Sequence, residues 1–272
     1  FNADGAAWAA PPERPVTELE ARTLTGFYDA EIAWQDMQLD RLLTHLRARG
    51  AFDDTVIVLL ADHGESHGEH AIMGHGFNVY RELVHVPMAV HLPGVTQGSG
   101  EGQRIAANLS TRRLFHTLID LAGVPSPLSP DDPNADIDRL SIAPLIAGGR
   151  AGVDGEGGTA FSEAVPPSTF LHVMEHRSPA IVERLRLRRA RRALYDGDRK
   201  LVAEADRPEG LFDVHADPAE THDISGAHPA ETAALLARLT AFAAGHSAPS
   251  PSADAPLSEE VADHLRALGY ME

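Results

Sequence analysis

Thr55-Val56-Ile57-Val58-Leu59-Leu60-Ala61-Asp62-His63-Gly64 is the stretch on which the fold turns. From Thr55 to Ala61 there is no alternation of polar and apolar residues. A strand apolar on both faces belongs in the middle of a sheet covered by helices on both sides. The run then breaks abruptly into an acid, an imidazole and a glycine. In open α/β sheets, ligand-binding groups gather at the carboxyl ends of strands, so this triplet stands where chemistry is expected.

Working upstream, Asp53-Asp54 reads as a turn, and before it lies a long helix. Thr17-x-x-Glu20 is a capping-box pattern, which satisfies the first free N–H groups of a helix. Leu24, Tyr28, Ile32, Leu39, Leu42, Leu43 and Leu46 then recur at helical spacing as one apolar face, and Gly50 supplies a stop. Residues 1–15 read as an irregular lead-in.

Downstream, a Gly- and His-rich loop covers residues 64–76, a short helical piece 79–84, and a second buried strand 86–92, followed by a surface loop over 95–103. Residues 111–122 read as a helix stopped by Gly123, with Leu114, Phe115, Leu118 and Leu121 inward. The Gly-rich stretch 148–158 is the expected boundary between a unit over 1–150 and a unit over 151–272. Beyond it come short strands at 159–161, 192–195, 200–203 and 211–214, with Asp196-Gly197 as a hairpin turn. Helices are expected near 229–244 and 258–268, joined by a Ser/Pro/Ala linker over 247–256.

Composition narrows the function. The net charge of −17 makes general nucleic-acid binding improbable, because such a surface repels phosphate backbones. It does not forbid an anionic substrate, since a bound metal can dominate the field inside one pocket. No run approaches the roughly 20 continuous apolar residues of a membrane span. Cysteine is absent, which removes disulfides, thiolate metal sites and a cysteine nucleophile without identifying a compartment. Lys200 is the single lysine among 23 basic residues, the others being arginine.

The segment Asp62-His63-Gly64-Glu65-Ser66-His67-Gly68-Glu69-His70, continuing to Gly74-His75-Gly76, carries the chemistry. Adjacent carboxylate and imidazole can face one cation if the backbone turns sharply, which Gly64 permits. Oxygen plus imidazole nitrogen suits Mn, Zn or Mg, and less often Ca. Two ligands are too few for a tight site, so others must come from elsewhere. The alternative is a loop whose Asp and His merely cap a turn. Glu65 is either an orienting partner for His63 or solvent-exposed. His67 and His70 read as surface or supporting residues, His85 and His91 as packed or edge histidines, and Asp213 and Asp217 as turn residues. The basic run 184–192 reads as a solvated face rather than an anion site.

Several segments resemble the sulfatase family of the alkaline phosphatase superfamily: Tyr28-Asp29-Ala30-Glu31-Ile32, Asp53-x-Thr55 with the strand into Asp62-His63-Gly64-Glu65, Gly68-Glu69-His70, Gly74-His75-Gly76, and Tyr80-Arg81-Glu82-Leu83 into Val86-Pro87-Met88. Leu211-Phe212-Asp213-Val214 with Asp217-Pro218-x-Glu220, and the closing Leu265-Arg266-Ala267-Leu268-Gly269-Tyr270, are similar to C-terminal signatures of that family. The resemblance implies an alkaline-phosphatase-like mixed sheet flanked by helices, present in part over 1–150. A small α+β subdomain with short antiparallel strands would follow over 151–272. It implies a metal-dependent sulfuric ester hydrolase acting on a small-molecule or carbohydrate sulfate ester. Asp62 and His63 would ligate a divalent cation (Ca, Mg or Mn), and His75 would face the sulfate as the catalytic imidazole.

The chain departs from that pattern in one respect. The C/S-x-P-S/T-R motif that yields formylglycine is absent, as is the N-terminal Asp pair that completes the family's metal site. The resemblance therefore implies that formylglycine and those ligands belong to a missing N-terminal half. This chain alone is then expected to be inactive, to expose apolar surface and to be poorly stable. Two other readings stay open. One is a phosphonate or phosphate ester hydrolase, or a phosphoglycerol-transferase-like relative; the other is a non-catalytic, metal-binding or degenerate domain.

Overall fold

The computed structural model describes residues 16–93, 102, 104–130, 132, 134–147 and 156–246. The lead-in over 1–15, nearly all of the 95–103 loop, most of the Gly-rich boundary, the 247–256 linker and the closing helix with Leu265 to Tyr270 lie outside the described residues.

The expected capping box opens helix α1, Glu18–Ala48. The Glu20 amide donates to Thr17 Oγ1 at 3.3 Å, and Glu20 Oε2 accepts the Thr17 amide at 2.9 Å. Gly50 follows the helix at φ +65°, the left-handed stop the sequence suggests. None of the helix residues is buried. Tyr28, Ile32 and Leu42 of the apolar face lie open to solvent, as do Trp34 and Met37.

Strand β1 (Ile57–Leu60), the two-residue strands β2 (Ser66–His67) and β3 (Met73–Gly74), the short helix α2 (Arg81–Val84) and strand β4 (Met88–His91) follow. β1 pairs with β4, and β2 with β3, both antiparallel. Of the expected mixed sheet with this strand at its centre, the described residues form only an antiparallel part. Among the described residues β1 has one neighbour, no pair is parallel, no β1 residue is buried, and Leu59 is 47% exposed. The β4 strand is likewise only half-buried. An apolar run states a demand for cover. It does not state which residues meet that demand or in which direction they run.

Helix α3 (Arg113–Ala122) ends at Gly123 with φ +64°, but its faces are inverted relative to expectation. Phe115 and Leu118 point outward, whereas Arg113, His116 and Thr117 are buried. The short helices α4 (Ile137–Leu140) and α5 (Ala143–Ile146) cover that polar face. Arg113 Nε donates to the Leu140 carbonyl at 2.9 Å, and Thr117 Oγ1 accepts the Ile142 amide at 3.0 Å. Periodicity defined the stripe, while contacts 25 or more residues away chose the opposite one.

The remainder is well packed. Strand β5 (Thr159–Ala164), helices α6 (Ser168–Arg177) and α7 (Pro179–Arg184), strands β6 (Arg191–Asp196), β7 (Arg199–Glu204) and β8 (Arg207–Asp213), and helix α8 (Pro229–His246) complete the chain. The sheet is antiparallel in the order β5-β6-β7-β8. Gly197, at φ +57°, makes the β6–β7 turn at the expected Asp196-Gly197. Strand alternation sets two faces. Leu194, Leu201 and Leu211 align across the sheet and pack on Leu235 and Leu239 of α8. Ala193, Val202 and Phe212 face the other way, onto Val79 and Tyr80. No helix among the described residues is long and apolar enough to cross a membrane.

The basic run is a solvated face only in part: Arg184, Arg188 and Arg189 are exposed, but the others turn inward. Arg191 is buried and donates to Glu209, to the Phe77 carbonyl at 3.1 Å and to the Leu185 carbonyl at 2.8 Å. Arg186 pairs with Glu204, Arg188 with Glu175 and Glu183, and Arg192 with Glu163. Alternation with leucines left the partners unseen, because the acids come from other elements.

Candidate metal and ester site

The site begins where β1 ends. Asp62 is open, with its carboxylate 91% exposed, and its Oδ1 accepts the His63 amide at 3.0 Å. His63 Nδ1 lies 2.8 Å from the Gly64 carbonyl. A carbonyl can only accept, so Nδ1 carries the proton and Nε2 is left with its lone pair. That Nε2 is 3.9 Å from Asp62 Oδ2, a separation two ligands can have on one ion with bonds of about 2.0 to 2.2 Å.

Gly64 is required here by space. A Cβ on it would come within 2.0 Å of the Glu82 carbonyl oxygen, and its amide donates to the Leu83 carbonyl at 2.9 Å. The loop is thus pressed against α2 immediately after the metal candidates.

The β2–β3 pairing then returns the chain. Ser66 faces Gly74 and His67 faces Met73, so the next pair outward is Glu65 and His75. His75 Nδ1 lies 3.1 Å from Glu65 Oε2, with the ring donating to the carboxylate. The His63 and His75 rings have centroids 4.2 Å apart. One ligand atom from each of His63, Glu65 and His75 falls within 4.8 Å of the others, a donor set that could hold a metal ion. A carboxylate and two imidazoles suit a divalent cation, so the residues present fit one.

The structure therefore brings His63, Glu65 and His75 together with Asp62 beside them. Glu65 partners His75 rather than orienting His63. His67 turns away toward α1, with Nδ1 3.3 Å from Thr25 Oγ1 and its ring edge on Tyr28. His70 stacks on Tyr80 and lies 3.8 Å from Glu82; burial holds its pKa below the ordinary value. His91 stacks on Phe52, while His85 is exposed. Asp213 accepts the Ala216 amide and Asp217 the Thr221 and His222 amides, so both fix turns, and those bonds pull both carboxyls below their usual range.

Asp62, His63 and His75 line a cleft of about 990 Å³ together with Arg112, Arg192 and Phe242. Arg112 is paired with Glu156 and Asn134, and its buried Nε has no hydrogen-bond partner among the described residues. Burial lowers its pKa from the ordinary value, against the pull of Glu156.

Sequence reasoning missed what supports this loop. Lys200 and Glu220 form a fully buried pair at 2.8 Å, and Glu220 Oε2 also accepts the Arg81 amide at 3.1 Å. Burial brings Lys200 down to about 8 against the opposing pull of Glu220, and raises Tyr80 to about 12. A lone lysine inside a strand, in a chain otherwise using arginine, was the available signal.

Comparison with known proteins points to one family. A family model described as Sulfatase matches residues 9–124. The chain is 28% identical to arylsulfatase K of Xenopus laevis over 224 residues, covering 79% of this chain and 36% of that protein. It is 27% identical to choline-sulfatase of Rhizobium meliloti (strain 1021), covering 77% of this chain and 35% of the relative. The solved phosphonate monoester hydrolase of Agrobacterium radiobacter superposes with a TM-score of 0.56 at 26% identity, over 79% of this chain and 40% of that one. The chain thus spans little more than a third of the curated relatives it matches.

Proposed function

Because the chain belongs to the sulfatase family of the alkaline phosphatase superfamily, we propose that it supplies part of the divalent-metal site of a sulfuric ester hydrolase. The nucleophile, a formylglycine, would be carried by sequence outside this chain. The carrying observation is the meeting of His63, Glu65 and His75 beside Asp62, with Asp62, His63 and His75 lining one cleft. The exposed apolar residues of α1 and β1 support a missing partner half. The same reading divides the chain into a catalytic part over 1–150 and a small subdomain over 151–272.

Asp62 and His63 would hold a Ca, Mg or Mn ion. Once bound, that ion neutralises charge on the ester group. His63 is held in the coordinating tautomer by the Gly64 carbonyl. His75, its Nδ1–H engaged by Glu65, presents Nε2 as the atom that carries a proton toward the leaving oxygen. Arg112 and Arg192 line the same cleft, each paired with a glutamate, and would offer their remaining N–H groups to a small-molecule or carbohydrate sulfate ester.

The likeness to phosphonate monoester hydrolase favours a second reading, in which the intact protein acts on phosphonate or phosphate esters. The test is kcat/KM of the intact protein on 4-nitrophenyl sulfate against 4-nitrophenyl phenylphosphonate. The sulfate is expected to be the better substrate. A phosphonate preference moves the assignment to the second reading, and turnover of neither leaves a non-catalytic domain.

A further inference from the structure

A path of hydrogen bonds, bridged by the backbone of α2, runs from the C-terminal sheet to the imidazole of His63. Lys200 Nζ donates to both oxygens of Glu220 at 2.8 Å, with neither side chain exposed to solvent. Glu220 Oε2 accepts the amide of Arg81, the first residue of α2. Two residues on, the Leu83 carbonyl accepts the Gly64 amide, while the Glu82 carbonyl fills the space a Gly64 side chain would need. The Gly64 carbonyl in turn takes the Nδ1 proton of His63.

Stability alone does not call for this arrangement. Apolar residues of similar volume in place of a buried ion pair are often neutral or stabilising. Glu220 also sits at φ +54°, a left-handed backbone unfavourable for a non-glycine residue and commonest where structure serves function. Tyr195 and Tyr80 flank the ammonium, with ring centroids 4.8 and 5.8 Å from Nζ. An apolar pair in this place could not accept the Arg81 amide.

We infer that the Lys200–Glu220 pair is a positioning device for the metal loop, acting through the Arg81 amide and the Leu83 carbonyl on Gly64 and so on His63. The inference rests on the reading of His63 as a metal ligand. It assigns to the C-terminal sheet a part in metal affinity, although no residue of that sheet reaches the proposed ion.

Arg81 offers a clean cut. It is the first residue of a helical turn, where proline is tolerated, and Tyr80 before it is extended at φ −70° and ψ 165°, as a residue preceding proline prefers. Arg81→Pro removes the amide that Glu220 accepts and leaves the ion pair in place; Arg81→Ala controls for the lost guanidinium. With the intact protein stripped of metal, Mn²⁺ titrated calorimetrically is the probe. Arg81→Pro should bind Mn²⁺ about tenfold more weakly than Arg81→Ala, the lower end of the loss usual for supporting groups around a metal. The double variant Lys200→Met/Glu220→Leu should lose the same factor while retaining its fold by circular dichroism, and it decides the matter if Arg81→Pro does not fold. Wild-type affinity in the folded double variant, with binding abolished by His63→Ala, overturns the inference and leaves the metal reading standing. Undiminished binding by His63→Ala overturns both.

Discussion

The four-stranded sheet with α8 and the helix α1 with β1 both carry apolar stripes in the sequence, yet they end in opposite states. In the first, Leu194, Leu201 and Leu211 reach zero exposure, and the charged residues find partners. In the second, a capped helix of 31 residues buries none of them, and Leu59 stands open in β1. Isolated helices owe little to propensity and most of their stability to packing of an amphipathic face. The lesson is that the C-terminal sheet finds its cover within the described residues, partly from Val79 and Tyr80, whereas α1 and β1 are shaped for cover that the described residues do not provide.

Truncation of one leucine in each region tests that contrast with the largest expected effect. Leu201→Ala should cost about 2 to 5 kcal/mol by urea denaturation, as for other fully buried leucines. Leu42→Ala, more than half exposed in this chain, should stay within about 0.5 kcal/mol here. In the intact protein the Leu42 cost should rise to the scale of a buried residue. Equal, small effects of Leu42→Ala in both settings would break the comparison.

Much of the local structure was legible. The capping box at Thr17, the β6–β7 hairpin at Asp196-Gly197 and the glycine stop at Gly123 all follow from rules that act within a few residues. The site was legible in part: the strand end led to Asp62 and His63, and only the resemblance led to His75. The Glu65–His75 pairing was hidden because it depends on the β2–β3 register, although the glycines bracketing that loop hinted at a return. The inversion of α3 and the Lys200–Glu220–Arg81 link were hidden for the same reason, since their partners lie between 20 and 139 residues away.

A smaller effect sharpens the comparison where the loop meets the sheet: His70 stacks on Tyr80, which packs edge-on against Phe212 of β8. Burial keeps the folded-state pKa of His70 below 6.5, so the unfolded chain takes up a proton that the folded one resists. The stability contribution is whole above that range and falls as pH drops through 6.5 toward the lowered folded value. Glu82 works in the opposite sense: its carboxyl is raised by burial from 4.5, and the stability it gives at low pH is lost as pH rises toward that raised value. Glu69, Glu220 and Lys200 also face this group and modulate it. The melting temperature should fall between about pH 7.5 and 6, and fall less in His70→Gln. The same pH slope in both proteins would remove His70 from the account.

The most direct test of the central claim is turnover of 4-nitrophenyl sulfate by the intact protein and by its Asp62→Ala and His63→Ala variants, measured side by side in excess Mn²⁺. The account predicts that each variant loses at least about a hundredfold in kcat/KM, as expected when a group that holds a catalytic metal is removed. Wild-type turnover in either variant would contradict it.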